Sequence, residues 1–401
     1  MILVAVVLAL KIAGWSRRNT DFDLYLAVGR AAMAGRDIFE GTGGNWPPVF
    51  SFLCVPLALI GMVSPVLAKA VWLLFSMALV YGIVVMLARL VYGENVRVRV
   101  LPRPKGLSLG SAAVAIPLLL TSRFILATFD HVQADIFNFA LTLSGVYLIG
   151  SRRPLAGGGL IGVAAAVKLM PGIFIPYLVL RRRWAAAAGA VGGWAAATLA
   201  PAVVYGWDRN ILFWREWRAQ MPWGWGVNQL NQSMYAMCDR YLGGKGAPWS
   251  DAYLAKVVIF PSGEPVPFLA TLAIIGALIL AAVILFRGDE DPASPASLVE
   301  YSAVFLASAL FCPLTWKSYL VVSLMAWMVL CGFLRRGILG RRAERAVKWF
   351  ALAYILLSVL TPSGIVGSVL ASRLESMSVV TIASLGLMVL LLWLRPRLSS
   401  R

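Results

Sequence analysis

The sequence predicts an all-α, polytopic integral membrane protein. Hydrophobic residues make up 60% of the 401 residues and charged residues 13%, whereas a soluble domain is about half apolar and about a quarter charged. Apolar runs of about 15–25 residues, which suit membrane-spanning helices, recur from end to end. We therefore expect one membrane domain, residues 1–401, with about 10–12 transmembrane or re-entrant helices and juxtamembrane helices in its first external loop.

The net charge of +18 arises from short basic clusters that lie between the apolar runs. This distribution is typical of the positive-inside rule, which places basic loops in the cytoplasm, and not of a nucleic-acid-binding surface. The four cysteines form no CxxC pair and His131 is the only histidine, which excludes a zinc site of several histidines. The composition predicts a multi-pass cell-membrane protein surrounded by membrane lipids, with no nucleic-acid partner.

Basic loops orient the first half of the chain. A helix at about 2–14 that starts in the cytoplasm puts residues 15–48 outside, where residues 24–34 fit an amphipathic helix at the membrane interface. The apolar stretch 49–62 is short and interrupted by a proline, and the basic loop 93–106 belongs inside, so we expect 49–62 to be juxtamembrane. The spans predicted in this half lie at about 66–91, 108–128, 136–150 and 185–205.

The stretch 155–180 breaks this pattern. It follows a pair of arginines and ends in three more, 181–183, which a single crossing would place outside. Lys168 and Pro171 lie in its middle, and a proline disfavours helix at the residue before it. We expect a broken, re-entrant pair of half-helices that returns to the cytoplasm; a simple span that breaks the charge rule is the alternative.

The second half of the chain alternates regularly. A long external segment, 206–265, is rich in tryptophan and polar residues, and the basic loop 335–348 and the C-terminal tail fall inside. The predicted spans lie at about 266–286, 297–312, 318–334, 348–362 and 378–395. The polar clusters outside the spans then collect on the external face, which indicates a site at the outer membrane surface for a lipid-linked substrate.

Asp21 and Asp23, in the first external loop, are the leading candidates for chemistry, because a chain this apolar has few places for a carboxylate. A carboxylate near an apolar surface can act as a general base, and one base suffices if the leaving group is a phosphate. The alternative is structural, since an aspartate here can cap the helix that follows by accepting hydrogen bonds from its free N–H groups. We interpret Asp37 as a turn residue.

An anionic lipid phosphate needs cationic ligands, which arginine and lysine provide. Lys317 begins a predicted span, where an ionisable side chain indicates function. The predicted phosphate-binding residues are Lys317, Arg240, Lys168 (if the hairpin reaches the site) and Arg18 (unless it only snorkels to the interface). For the hydroxyl groups of a substrate we expect His131, Gln133, Asn231 and Gln232. The alternatives are that His131 only starts a helix and that the amide-rich run at 228–233 is a polar turn.

Five segments, in order along the chain, carry motifs of one known family. They are DFDLYLAVGRAAMAGRDIF (21–39), NWPPVFSFLCVPLAL (45–59), AAAVKLMPGIFIPYLVLRRRW (164–184), NQSMYAMCDRYL (231–242) and CPLTWKSYL (312–320). Together they resemble the polyprenol-phosphate-mannose-dependent mannosyltransferases of glycosyltransferase family 87, within the GT-C superfamily of membrane glycosyltransferases.

The resemblance implies a GT-C-type helical bundle and an inverting sugar transfer. In such enzymes an aspartate of the first external loop takes a proton from the acceptor hydroxyl, which attacks the anomeric carbon as polyprenyl phosphate leaves. Asp21 occupies the Asp-Phe-x-x-Tyr position and is the first candidate for this base, with Asp23 second. Tyr25 and Trp316 occupy aromatic motif positions and are expected to bind substrate. The implied partners are a polyprenyl-phosphate sugar donor, with mannose as the expected sugar, and a lipid-linked or glycan acceptor.

Two positions depart from the family pattern. Lys317-Ser318 replace the histidine that usually follows the tryptophan, and residues 130–133 stand where the family has Gly-Gln. Two alternatives stay open: the same fold with arabinose, galactose or glucose as the donor sugar, and a lipid or sugar transporter. No cofactor is expected; an outer carboxylate pair could hold a divalent metal through waters, but nothing in the sequence demands one.

Overall fold

The computed structural model describes residues 12–39, 46–93, 95–100, 107–220, 228–244, 246–254, 265–286 and 291–398. Within these ranges the chain is helical apart from turns and one pair of two-residue parallel strands, β1 (Val98–Arg99) and β2 (Leu107–Ser108). The predicted all-α class is therefore confirmed. Most of the helix predicted at 2–14 lies outside the described residues.

The described residues fall into two compact units. The first lies within Met1–Ile83, Leu126–Ile175 and Trp184–Met221, and the second within Val84–Ile125, Pro176–Arg183 and Pro222–Arg401. Helices with residues in the first unit are α1 (Asp21–Met33), α2 (Phe50–Val63), α3 (Pro65–Tyr92), α4 (Ala112–Asp130), α5 (Asp135–Gly150), α6 (Pro154–Val167), α7 (Phe174–Leu180), α8 (Trp184–Tyr205) and α9 (Trp207–Gln220). The second unit holds parts of α3, α4 and α7 together with α10 (Met234–Leu242), α11 (Pro265–Leu285), α12 (Pro295–Leu310), α13 (Ser323–Arg336), α14 (Arg341–Tyr354), α15 (Ser363–Val366), α16 (Ser368–Ser376) and α17 (Val379–Leu394).

Apolar helices of membrane-spanning length confirm a multi-pass membrane protein. Six in the described part of the chain are long and apolar enough to cross: Pro65–Tyr92, Ala112–Asp130, Trp184–Tyr205, Pro265–Leu285, Lys317–Arg336 and Val379–Arg397. The spans predicted at 136–150 and 297–312 are observed as α5 and α12, which have 16 residues each. This is short of the about 20 residues that a perpendicular crossing needs.

One predicted boundary shifts because a charged segment is helical. α14 begins at Arg341, inside the predicted loop 335–348, and continues into a π-helical turn at Ile355–Val359. Glu344 and Lys348 form an exposed ion pair of 2.5 Å at i,i+4 spacing, an arrangement that stabilises a helix. The apolar pattern therefore predicted roughly where this helical segment ends, but not that it begins within the basic loop.

The stretch 155–180 forms a broken pair of helices, as predicted. α6 ends at Val167, Lys168 is extended, and a 3-10 turn at Met170–Ile173 leads into α7. The break lies beside Pro171, which lacks the N–H that a continuing helix would use.

α6 and α8 pack side by side and run in the same direction. A Cβ added at Gly158 would lie 1.9 Å from Ala186 O, and one added at Gly162 would lie 2.0 Å from Ala190 O, so the two helices advance in step. The first turns of α6 and α8 therefore lie side by side. The chain between them runs along α6 away from this end and then returns to it through residues 168–183. α6, with 14 residues and a length of about 21 Å, is also shorter than a hydrocarbon core of about 30 Å. The packing supports the re-entrant hairpin over a single span.

A buried ionic cluster joins helix ends within the second unit. Glu300 of α12 accepts hydrogen bonds from Arg395 Nε (2.5 Å) and the Tyr177 hydroxyl (2.9 Å), and its Oε2 lies 3.0 Å from Arg181 Nε. The side chains of Glu300, Arg181 and Arg395 are 0, 3 and 1% exposed. These contacts attach the basic end of the hairpin to α12 and to the turn after α17.

Candidate active site

Asp21 and Asp23 both lie in the first turn of α1, and the structure gives them different partners. Asp21 is half-buried, and its Oδ2 accepts a hydrogen bond of 2.7 Å from Gln133 Nε2. Among the described residues this neutral amide is the only hydrogen-bond partner of the Asp21 carboxylate. Oδ1 is therefore left for another donor.

Asp23 is occupied by structural contacts. Its Oδ2 accepts hydrogen bonds of 2.8 Å each from the Thr20 backbone N–H and from Lys69 Nζ. The first contact caps α1, which explains why the helix begins at Asp21 and not near residue 24 as predicted. The capping role that the sequence left open for either aspartate thus belongs to Asp23.

Tyr25 lies one turn after Asp21 in a buried aromatic cluster. Its ring meets Trp46 and Phe50 edge to face, with centroids 4.9 and 5.0 Å away. Burial, and then the negative charges of Asp135 and Asp21, raise the pKa of Tyr25 well above its ordinary value of 10.0. Its hydroxyl is therefore a neutral group between two carboxylates.

Lys168 at the tip of the hairpin forms an ion pair with Asp135 at the start of α5. The lysine side chain is 17% exposed and the aspartate side chain 4%. α5 and α6 run antiparallel, since Gly145 approaches both Gly157 and Ile161, so the end of α6 lies beside the start of α5. The hairpin thereby brings Lys168 to the segment that carries Gln133, as the sequence required if this lysine was to take part.

The turn at 130–135 presents its polar residues in different directions. Gln133 is buried, whereas His131 is exposed. Arg18 pairs with Asp130 at 2.6 Å, with side chains 62% and 46% exposed, and such exposed pairs contribute little to stability. Within the first unit the structure therefore brings together Asp21, Asp23, Tyr25, Gln133 and Lys168, while His131 and Arg18 lie at the surface of that unit.

A second charged cluster lies within the second unit around Lys317. Glu375 Oε1 accepts hydrogen bonds from both Lys317 Nζ (2.7 Å) and Arg123 Nη2 (2.5 Å). The side chains of Arg123 and Glu375 are 5% and 8% exposed, and that of Lys317 is 25% exposed. Because Arg123 and Lys317 share the single carboxylate of Glu375, these three side chains carry a net positive charge. Lys317 is the most accessible of the three.

Arg240, also in the second unit, is buried. Its guanidinium donates to the carbonyl oxygens of Asn228 and Asn231 (2.9 Å each) and to Ser378 Oγ (2.7 and 3.0 Å). Burial lowers the pKa of Arg240 to about 10. These contacts make it a support for the backbone, and its predicted binding of phosphate stays a prediction.

Asn231 and Gln232 also make structural contacts. Asn231 donates to Pro313 O (3.0 Å) and accepts from Thr315 N–H (3.0 Å), while Gln232 donates to Glu375 O (3.0 Å). Both side chains are buried. They hold the segment that continues through the half-buried Trp316 to Lys317, and so position that lysine.

Three charged members of these clusters are missing from the sequence prediction: Lys69, Arg123 and Glu375. Lys69 and Arg123 lie inside the predicted spans 66–91 and 108–128, where an ionisable side chain is itself a signal of function and would have identified both. Glu375 lies between two predicted spans and belongs to none of the motifs, so nothing marked it.

Comparisons with known proteins identify the family. The model of glycosyltransferase family 87 matches residues 46–313, more than half of the chain. Two relatives, from Mycolicibacterium smegmatis and Mycobacterium tuberculosis, are both named polyprenol-phosphate-mannose-dependent alpha-(1-2)-phosphatidylinositol mannoside mannosyltransferase. The first is 25% identical over 77% of this chain and 68% of the relative, and the second 26% identical over 88% and 78%. The crystal structure of ArnT from Cupriavidus metallidurans in the apo state is similar with a TM-score of 0.44 and 16% identity, covering 99% of this chain and 77% of that one. The chain therefore belongs to glycosyltransferase family 87 and is a membrane glycosyltransferase.

Proposed function

We propose that this protein transfers mannose from a polyprenyl-phosphate donor to a lipid-linked or glycan acceptor on the extracytoplasmic side of the membrane, with inversion at the anomeric carbon. The names of both relatives specify polyprenol-phosphate-mannose and a phosphatidylinositol mannoside. The basic loops, which belong in the cytoplasm, support an active site on the opposite side.

The observation that carries this proposal is the difference between the two aspartates of α1. Asp23 is held by a lysine and a backbone N–H, whereas Asp21 has, among the described residues, one neutral hydrogen-bond partner on one oxygen. A carboxylate that is paired with a cation is a poor proton acceptor, because the pairing stabilises its charged form. Asp21 is therefore the general base of the proposed reaction.

In the proposed reaction, Asp21 takes the proton of the acceptor hydroxyl. The hydroxyl oxygen forms a bond to the anomeric carbon of mannose while the bond from that carbon to the phosphate oxygen breaks. The electron pair leaves with polyprenyl phosphate, which needs no acid. The proposal includes no cofactor.

For the donor phosphate we propose Lys317, supported by Arg123. Lysine and arginine together provide the point charge and the planar fork that suit a phosphate. Glu375 offsets only one of these two charges, and Lys317 is the most accessible of the three side chains. Trp316, directly before Lys317, is the aromatic residue we propose for contact with the donor.

The decisive experiment is Asp21→Asn, assayed for transfer from polyprenyl-phosphate mannose to a phosphatidylinositol mannoside. We expect kcat to fall by about 10²–10⁴-fold, as for loss of a general base, with donor binding retained. Asp37→Asn is the matched control, because Asp37 lies in the same predicted loop and, in the part of the chain that the structure describes, accepts a hydrogen bond from its near neighbour Phe39 N–H (2.9 Å). It should keep full activity.

Two outcomes would contradict parts of the proposal. Full turnover by Asp21→Asn with an inactive Asp23→Asn would move the base to Asp23. Transfer by the unmodified protein from a polyprenyl phosphate of arabinose, galactose or glucose, and not from that of mannose, would overturn the donor sugar.

A further inference from the structure

We infer that Gln133 is a positioning residue that holds the Asp21 carboxylate in one orientation and leaves its second oxygen to the acceptor hydroxyl. This inference rests on the proposed role of Asp21 as the base. It replaces the role of substrate ligand that the sequence predicted for Gln133.

The backbone of Gln133 is fixed from two sides. Its N–H donates to Thr128 O (3.0 Å), and its carbonyl oxygen accepts a hydrogen bond from Trp72 Nε1 (3.3 Å). Residue Gln133 as a whole is 8% exposed. The amide that meets Asp21 therefore extends from a rigid, buried point, and this restricts where the carboxylate can lie.

Two local costs accompany this arrangement. Val132, directly before Gln133, has φ of +52° and is buried, a conformation that is strained for a β-branched residue. Gln133 Oε1 is buried without a hydrogen-bond partner among the described residues, which costs about 1–3 kcal/mol. Only the NH₂ end of an amide can donate to a carboxylate, so the bond to Asp21 fixes which end of the Gln133 amide faces the carboxylate. Stability alone would select against both features.

The surrounding charges explain why a neutral donor occupies this place. Asp23 is paired with Lys69 and Asp135 with Lys168, and Tyr25 is uncharged. A cationic donor at this place would stabilise the negative charge of Asp21 and oppose proton uptake. An amide fixes the carboxylate by a weaker bond and leaves its charge uncompensated.

Gln133→Leu tests the inference in the transfer assay with polyprenyl-phosphate mannose and a phosphatidylinositol mannoside. We expect kcat to fall about 10- to 100-fold, because misplacing a reacting group slows the chemical step, with KM within about twofold. The unfolding temperature in detergent should change little, because removal of the unsatisfied Oε1 offsets loss of the hydrogen bond to the half-buried Asp21. Asn210→Leu is the matched control in the same unit: Asn210 is a buried amide that donates to Thr198 O (3.4 Å) and whose Oδ1 is unpartnered among the described residues. It should keep kcat and KM.

The double variant Asp21→Asn/Gln133→Leu separates this inference from the proposed function. If Gln133 acts through Asp21, the double variant is no slower than Asp21→Asn. A further loss of the same size, or a raised KM with unchanged kcat in Gln133→Leu, would overturn the inference. An active Asp21→Asn would instead refute the base assignment, and an inactive Asp21→Asn beside a fully active Gln133→Leu would refute the inference alone.

Discussion

Lys69 Nζ lies 2.8 Å from Asp23 Oδ2, and the lysine side chain is 4% exposed. The same ammonium donates to Arg18 O at 2.5 Å. A residue of the long helix α3 thus fixes both the chain entering α1 and the first turn of α1. This relationship gives Asp23 a structural contact that Asp21 lacks, and it supports different roles for two aspartates two residues apart.

Replacing Asp23 with asparagine should destabilise the protein. Lys69 would keep its charge in a buried position without its counter-ion, and we expect a loss of about 1–3 kcal/mol in the free energy of unfolding. The loss stays below that for a fully buried pair because the Asp23 side chain is 39% exposed. Thermal unfolding in detergent measures it. Asp23→Asn combined with Lys69→Met should recover part of the loss, and a double variant that is less stable than Asp23→Asn would contradict this account.

Glu300→Gln should cost more than any exposed ion-pair variant. Arg181 and Arg395 would be left buried with an uncharged partner, and breaking a buried pair costs about 3–5 kcal/mol. The control is Glu344→Gln, which removes an exposed pair with Lys348 and should change stability by no more than about 0.5 kcal/mol. Denaturant titration of both variants compares them, and equal stabilities would disprove a supporting role for the buried cluster.

The contact between α6 and α8 predicts opposite effects for two glycine-to-alanine changes. At Gly162 a new Cβ would lie 2.0 Å from Ala190 O, so Gly162→Ala must separate the helices and should cost at least about 1–3 kcal/mol. At Gly192, in α8, a new Cβ meets nothing within 4 Å among the described residues. Gly192→Ala should therefore stabilise by about 0.5–1 kcal/mol. The unfolding temperatures of the two variants give the answer, and a shift in the same direction would argue against this packing.

Tyr25→Phe should alter the alkaline limit of stability. The pKa of Tyr25 is raised well above 10.0 in the folded protein, so above pH 10 the unfolded chain loses this proton first. Stability then falls as pH rises, and the contribution is intact below pH 10. Compared with the unmodified protein, Tyr25→Phe should lose less stability between about pH 9 and about pH 11, which is about one unit on either side of the pKa of a free tyrosine. Parallel pH curves for the two proteins would contradict the prediction.

The fold class followed from the sequence because apolar length and basic loops are strong local signals. The hairpin at 155–180 was predicted from a conflict between them: three arginines at the wrong end of an apolar stretch, with Pro171 in its middle. The start of α14 was predicted too late, because its first residues are charged and were therefore interpreted as a loop although they are helical. Membership of family 87 also favours an enzyme over the transporter alternative.

The candidate site was only partly predictable. Asp21 was selected by its motif position, but what distinguishes it from Asp23 is the contact of each with a residue far along the chain, Gln133 and Lys69. Such contacts between distant segments leave no local pattern. Asn231 and Gln232 bond the backbone of their own unit, a structural role that the sequence did not show, and their binding of substrate stays a prediction.

The parallel packing of α6 and α8 has a consequence for the sidedness of the chain around it. A segment that leaves one surface and comes back adds nothing to the number of traversals, so we expect Arg153 before it and Arg183 after it to lie in the same aqueous compartment. A single cysteine placed at either arginine should be labelled by a membrane-impermeant reagent from the same side.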